Sequence, residues 1–194
     1  MKKAFTAIAL ALVAALTLAG CGNDNNSSSS ETSGGDFNDA DVTFAQSMIP
    51  HHQQAVQMAQ LAQTHASSTD VKELADKIEA AQGPEIETMT GWLEAWGEDV
   101  PSGSAMGGGM GHDMGDGEMA GMMTGQDMKE LDGATGKAFD EMFLAMMTRH
   151  HEGAIAVAET EQSDGENAEA LALAKKIVAD QTSEITEMEQ MLKS

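Results

Sequence analysis

Cysteine, tyrosine, proline and basic residues are scarce in this sequence. Its 194 residues include one cysteine, three prolines, no tyrosine, and 10 Lys or Arg against 32 Asp or Glu, for a formal net charge of -22. A single cysteine excludes an internal disulfide framework and any cysteine-rich zinc or iron–sulfur site. The negative charge argues against nucleic acid as a partner, because its phosphates would be repelled. Methionine, in contrast, is abundant, with 16 residues.

The N-terminus has the features of a bacterial export signal. Two lysines precede an apolar run from Ala4 to Ala19, which is too short to span a bilayer comfortably. The run ends in Leu18-Ala19-Gly20-Cys21, which resembles the lipobox of lipoprotein signals, where cleavage leaves Cys21 as the lipid-bearing N-terminus. The alternative is a plain secretory signal followed by a chance cysteine. We expect residues 1–20 to be a lipoprotein signal peptide and residues 21–36 to be a disordered polar tether, which places the protein outside the cytoplasm, anchored to the bacterial membrane.

Two parts of the remaining chain resemble each other. Shifted by 99 positions, residues 44–93 align without a gap with residues 143–192. Histidine pairs, methionine and glutamine in one register indicate two copies of one supersecondary unit. The aligned pairs include Met48 and Met147, His51 and His150, and His52 and His151.

Each repeat has the apolar periodicity of two helices. The pattern predicts helices at about 39–65, 70–96, 136–161 and 167–193, and no stretch shows a sustained strand pattern. Two amphipathic hairpins must cover each other's apolar faces. We therefore predict an all-α fold in residues 37–194, a ferritin-like four-helix bundle with repeat one at 39–96, a Met/Gly-rich linker at 97–135 and repeat two at 136–193.

The two His-His motifs are the first candidate site. They lie near the middle of the first and third predicted helices, so both would sit at the waist of the bundle. Each follows a methionine on the same side of its helix. A lone histidine is more often structural than a ligand, but the duplicated pairs favour a metal, and imidazole with soft thioether favours copper and, by analogy, Ag(I). The predicted ligands are Met48, His51, His52, Met147, His150 and His151, with His51 and His150 as the central pair and the roles of His52 and His151 left open.

The linker is the second candidate site. Residues 106–128 contain seven methionines and one histidine among eight glycines. So many glycines disfavour a regular helix, and there is no apolar stripe, so we expect exposed methionines that can surround a soft cation. Low-complexity drift and protection against oxidants are the alternatives. The predicted ligands are Met106, Met110, His112, Met114, Met119, Met122, Met123 and Met128.

These motifs resemble a known bacterial family. Met-Ile-Pro-His-His-Gln-Gln-Ala at 48–55 and Gln-x-x-Glu-Ile-x-x-Met-x-x-Trp-Leu at 82–93, with their copies at 147–154 and 181–192, are similar to the domain-of-unknown-function family numbered 305. The resemblance covers residues 37–194. It implies a ferritin-like bundle in secreted and lipid-anchored proteins, some of which bind copper and contribute to copper tolerance. By this resemblance the ligands carry over onto the methionine and histidines of each His-His motif.

The sequence therefore predicts an extracytoplasmic, lipid-anchored copper-binding protein that sequesters, buffers or transfers metal. No Ser/His/Asp or Cys/His arrangement and no phosphate-binding loop indicates an enzyme. A ferritin-like di-iron oxidase is disfavoured because Glu-x-x-His does not occur. Two alternatives stay open: a bundle that binds haem non-covalently through Met and His, and a ligand-free interaction or scaffolding bundle.

Overall fold

The computed structural model describes residues 36–102 and 120–193 and contains five helices and no strand within these ranges. The all-α prediction is confirmed, and four long helices lie close to their predicted positions. The helices are α1 (Asp39–His65), α2 (Thr69–Trp96), α3 (Gly125–Gly133), α4 (Lys137–Asp164) and α5 (Ala168–Met191).

Side-chain caps determine where the helices begin. The Asn38 side chain accepts hydrogen bonds from the second and third backbone N–H groups of α1, and Asp41 returns a bond to the Asn38 N–H in a capping box. Ser68 caps α2 and Asn167 caps α5 in the same general way. These caps satisfy N–H groups that have no partner inside their helices, so each hairpin turn ends at a defined residue.

The α1–α2 and α4–α5 hairpins pack against each other through α1 and α4. The Gly136 N–H donates to the His65 carbonyl at 2.8 Å, so the end of α1 lies at the start of α4. At the other end of the seam, the Asn38 side chain donates to the Asp164 carbonyl at 2.8 Å. The two helices therefore run antiparallel, and their middles cross.

Two equivalent aspartates join the hairpins. Asp41 of α1 accepts hydrogen bonds from the backbone N–H groups of Glu166 and Asn167, at the turn before α5. Asp140 of α4 accepts from the N–H groups of Ser67 and Ser68, at the turn before α2. Each hairpin thus caps the turn of the other, and both carboxylates are buried.

The core is divided into two apolar clusters by a polar layer. On α1, residues up to Ile49 belong to one cluster and residues from Ala55 belong to the other. The same division occurs on α4 between Met147 and Ala154. We call the polar side chains between the clusters the waist layer; its members are His51, His52, Gln82, Glu85, His150, His151, Gln181 and Glu184.

The last part of the predicted linker is structured, which corrects the expectation of an irregular, exposed segment up to residue 128. A capping box between Thr124 and Asp127 starts α3, and Leu131 buries that helix against the core. Met123 is only 4% exposed, and Met128 is partly buried against the same cluster. Local capping and one apolar anchor outweigh the cost of the glycines.

No helix in residues 36–102 and 120–193 is long and apolar enough to cross a membrane.

Candidate metal site

The four paired histidines meet at the waist of the fold. The rings of His51 and His150 are 3.7 Å apart between centroids, with planes inclined by 43°. All four histidines are buried, at 1% exposure for His51 and 0% for the others. Because α1 and α4 are antiparallel and cross at their middles, equivalent histidines from the two hairpins come into contact.

The central pair has no hydrogen-bond partners for its ring nitrogens. Nδ1 and Nε2 of both His51 and His150 are buried and make no hydrogen bond of standard geometry. Burial, followed by the neighbouring His52, lowers the pKa of His51 to about 3. Burial, followed by the His51 ring, holds the pKa of His150 well below its ordinary value. Both rings are therefore neutral at pH 7, and each has a nitrogen lone pair that no proton occupies.

The outer histidine of each pair is oriented by a glutamate. His52 Nε2 lies 2.8 Å from Glu85 Oε2, and His151 Nε2 lies 2.6 Å from Glu184 Oε2. A carboxylate only accepts hydrogen bonds, so each imidazole places a proton on Nε2 and directs it toward its glutamate. Nδ1 of both rings is buried and unpartnered. Carboxylates hold metal-binding histidines in this way, which fixes the ring and the tautomer.

Glu85 is ionised in this arrangement. Burial raises the pKa of Glu85, but the hydrogen bonds from His52 and Lys176 outweigh burial and lower the pKa below its ordinary value. Lys176 Nζ donates to Glu85 Oε1 at 2.9 Å. Burial lowers the pKa of His52 despite this carboxylate, so the ring stays neutral beside it. Lys77 of α2, the equivalent of Lys176 in the first repeat, instead pairs with Glu187 of α5 at 3.1 Å.

Two glutamines add further unpaired polar atoms to the layer. Oε1 of Gln82 and Oε1 of Gln181, which are equivalent residues of α2 and α5, are buried without a hydrogen bond. Buried polar atoms are normally paired, because an unpaired one costs about 1–3 kcal/mol. Such a concentration of unpaired atoms in one layer is typical of a binding site and unusual for a purely structural core.

The two methionines of the motifs lie on either side of this layer. Met48 belongs to the apolar cluster of Phe44 and Ile49, and Met147 belongs to the cluster of Phe143. Both are buried, at 1% and 0% exposure. Each thioether lies one helical turn before its histidine pair, so each borders the layer from a different cluster.

The donor set fits some metals better than others. Within the described part of the chain, no three side chains of His, Cys, Asp or Glu are grouped closely enough to hold a metal ion. This disfavours zinc, which takes four such ligands in structural sites. Neutral imidazoles bordered by thioethers fit Cu(I) and Ag(I), which accept soft donors in linear and trigonal environments. Haem is disfavoured, because rings in contact leave no space between them for a porphyrin.

Only part of the predicted linker site falls within the described residues. Met122 is partly buried and Met123 is buried, with its Sδ accepting a hydrogen bond from Arg149 Nη2 at 3.0 Å. Met128 packs against the core. These three are therefore not the freely exposed methionines that were predicted. The other predicted linker ligands lie outside the described residues: Met106, Met110, His112, Met114 and Met119.

Sequence reasoning missed the polar partners of the histidines. Gln82 interrupts the apolar stripe of α2, and Glu85 follows three residues later. Both recur in the second repeat as Gln181 and Glu184. The sequence does contain a signal for these residues, because both repeats carry polar residues at positions that face the core. Their pairing with His52 and His151, however, depends on how α2 packs beside α1 and α5 beside α4.

The chain is similar in sequence and in structure to known proteins. Residues 41–192 match the family described as domain of unknown function (DUF305). The structure is similar to that of a DUF305 protein from Streptomyces coelicolor that is thought to be secreted, with 31% identity, a TM-score of 0.69, and coverage of 79% of this chain and 92% of that one. No curated protein sequence matches the chain.

The structure is also similar to that of CopM with bound metal. The Cu(II)-bound form of CopM has 31% identity and a TM-score of 0.65, over 79% of this chain and 95% of CopM. The Cu(I)-bound form has 28% identity and a TM-score of 0.63, over 79% and 95% of the two chains. CopM has also been solved in an Ag-bound form.

Proposed function

The chain belongs to the DUF305 family, and from this membership and its waist layer we propose that it is an extracytoplasmic protein that binds copper. It takes up Cu(I), and Ag(I) in the same way, and contributes to copper tolerance by sequestering, buffering or passing on the metal. It acts by binding and release rather than by catalytic turnover. A lipid on Cys21 holds it at the membrane.

One observation carries the proposal above the others. His51 and His150 present four buried ring nitrogens that make no hydrogen bond of standard geometry, and the two rings are in contact. A structural histidine in a core satisfies its nitrogens, because each unpaired polar atom destabilises the fold. A metal ion bound to these nitrogens would remove that penalty.

The neighbouring residues have defined roles in this proposal. His51 and His150 hold the ion, with Met48 and Met147 as soft donors from the two sides of the waist layer. His52 and His151 offer Nδ1 as further donors, and Glu85 and Glu184 orient these rings through contacts with Nε2. The methionines of residues 103–119 would capture copper before it reaches the waist layer.

A competition titration tests the proposal. The full chain, its His51→Ala/His150→Ala variant and a His65→Ala control are titrated with Cu(I) against a coloured chelator. His65 lies on the same helix but at its exposed end, bonded to the Leu61 carbonyl, so its loss should leave copper affinity unchanged. The double variant should no longer bind the copper ion that the full chain binds with the highest affinity. Equal affinity in all three proteins would refute the bundle site.

A deletion separates the two proposed sites. Removal of residues 103–119 should lower the number of copper ions bound per chain. The copper ion that binds with the highest affinity should still bind with the same affinity. If the deletion instead removes all tight binding, the linker and not the waist layer is the metal site.

A further inference from the structure

A short non-helical segment lies beside the two central histidines. Ala120, Gly121, Met122 and Met123, here called the strap, precede α3 and cross α4 beside His150. Gly121 has a φ of +82°, and a Cβ there would collide with the carbonyl of Arg149 and crowd that of His150. The backbone of Ala120 lies within hydrogen-bonding reach of the His51 ring, which raises the pKa of that ring against the larger effect of burial. The strap therefore contacts the ring of His51 and the backbone of His150.

Equivalent residues of the two repeats hold the strap. Gln54 of α1 and Gly153 of α4 occupy the same position in the alignment of the repeats. The buried Gln54 side chain donates to the Met123 carbonyl at 2.8 Å and accepts from the Met123 N–H at 2.7 Å. At Gly153, a Cβ would collide with the backbone of Ala120. The first repeat thus supplies the side chain that holds the strap, and the second repeat supplies the gap into which the backbone of Ala120 fits.

The attachment is local and small compared with the helices around it. Besides the Gln54 clamp, the strap is attached by the buried side chain of Met123, which packs in the same apolar cluster as Leu131, and by the bond from Arg149 Nη2 to Met123 Sδ. The other elements around the pair are long helices that belong to the two apolar clusters. Segments with few buried apolar contacts open at lower free energy than the core. Of the segments that surround His51 and His150, the strap is thus the one that can detach locally without separating the two hairpins.

We propose that the strap is a gate over His51 and His150, and that its release from Gln54 and Gly153 is the route by which a metal ion enters and leaves. The significance of the gate for metal rests on the proposed function. In the sequence, the gate directly follows the Met-rich residues 106–119. Gln54 and Gly153 are positioning residues that act through the strap.

The first test needs no metal and measures how easily a reagent in solution reaches the rings of His51 and His150. The full chain is treated with diethyl pyrocarbonate, and modification of His51 and His150 is followed by peptide mass spectrometry. Gln54→Ala removes the side chain that bonds to the Met123 backbone. Gly153→Ala places a methyl group where the backbone of Ala120 lies. Each should accelerate modification of both rings by about tenfold or more, the factor that about 1.4 kcal/mol corresponds to. Gln57→Ala, an exposed residue one turn along α1, should react like the unmodified chain.

A second control separates the gate from general loosening of the fold. Leu93→Ala creates a cavity in the apolar cluster that contains no strap residue and lowers global stability. The proposal expects ring modification to be faster in the strap variants than in Leu93→Ala, even where Leu93→Ala is the less stable protein. It is overturned if modification rates follow global stability alone, or if the strap variants react at the wild-type rate.

A kinetic measurement with Ag(I) links the gate to metal. Stopped-flow uptake should be accelerated about tenfold in Gln54→Ala with a smaller change in equilibrium affinity, because the ligands themselves are unchanged. Unchanged uptake rates in a chain that does bind Ag(I) would overturn the gate. If the chain binds neither Ag(I) nor Cu(I), the proposed function fails, while the modification experiment still decides whether the strap covers the rings.

Discussion

His51 and His150 touch across the α1–α4 seam, with ring centroids 3.7 Å apart and no ring nitrogen of either in a hydrogen bond of standard geometry. They occupy the same position in two repeats, so the contact lies on the approximate symmetry axis of the fold. A residue on such an axis meets its own equivalent, and one position of the repeat therefore supplies two imidazoles to the same contact.

The glutamates that hold the outer histidines should tune metal affinity. Glu85→Gln and Glu184→Gln keep the shape of the side chain but replace a carboxylate acceptor with an amide that can also donate. His52 and His151 then lose their fixed tautomer, and Cu(I) affinity should fall by about 10–100-fold. Competition titration measures the change. Glu87→Gln, an exposed neighbour on α2, is the matched control, and equal affinity in all three variants would contradict the role.

The thioethers of Met48 and Met147 should distinguish the oxidation states of copper. Met48→Leu and Met147→Leu preserve volume and apolarity, so stability should change by less than about 1.5 kcal/mol. Cu(I) affinity should fall about tenfold or more, while Cu(II) affinity changes little, because thioether is a soft ligand. Met58→Leu, a buried methionine of the same helix outside the waist layer, serves as the control. A loss in this control equal to that in Met48→Leu would indicate a packing effect.

The helices and the meeting of the two His-His motifs could be predicted from the sequence because they depend on local periodicity and on a repeat. The apolar spacing gives the helices, and duplication of the His-His motif indicates that the pairs meet. The partners of His52 and His151 could not be predicted, because they come from helices whose rotation about their own axes is determined by packing. Met123 was placed in an exposed linker for a related reason: its burial depends on Gln54, 69 residues away in the chain.

A buried acid should make stability depend on pH at one end of the bundle. Glu161 is 1% exposed and lies against Asp41, and burial together with this neighbour raises its pKa to about 8 from an ordinary 4.5. The native state therefore keeps a proton that the unfolded chain has lost. This stabilising contribution is complete below about pH 4.5 and disappears as the pH rises to about 8, with a slope of at most about 1.4 kcal/mol per pH unit.

Glu161→Gln should remove that dependence. Glutamine has nearly the same shape and carries no charge at any pH, so the variant should lose less stability than the wild type between pH 5 and pH 8. Denaturant unfolding at constant ionic strength measures the slope. Glu159→Gln, an exposed residue of the same helix, should follow the wild type. Parallel stability curves for wild type and Glu161→Gln would show that the acid is ionised in the folded protein.

The reciprocal capping by Asp41 and Asp140 should stabilise the junction of the hairpins. The Asp140 carboxylate accepts two backbone N–H bonds and the Ser67 hydroxyl at 2.5 Å. Asp140→Ala leaves these donors without their partner and should lower the free energy of unfolding by about 2–3 kcal/mol. The exposed neighbour variant Glu141→Ala should change it by less than about 0.5 kcal/mol. Similar midpoints for the two variants would show that the cap contributes little.

The most direct test of copper binding at the waist layer is a residue-resolved titration of the six histidines. A chain labelled with 15N in its imidazoles is titrated with Ag(I), and the ring nitrogens are followed by NMR. The first equivalent should shift the nitrogens of His51 and His150, with smaller shifts at His52 and His151, while His65 and His112 stay unchanged. A first equivalent that shifts only His112 or His65, or none of the six, would contradict the account.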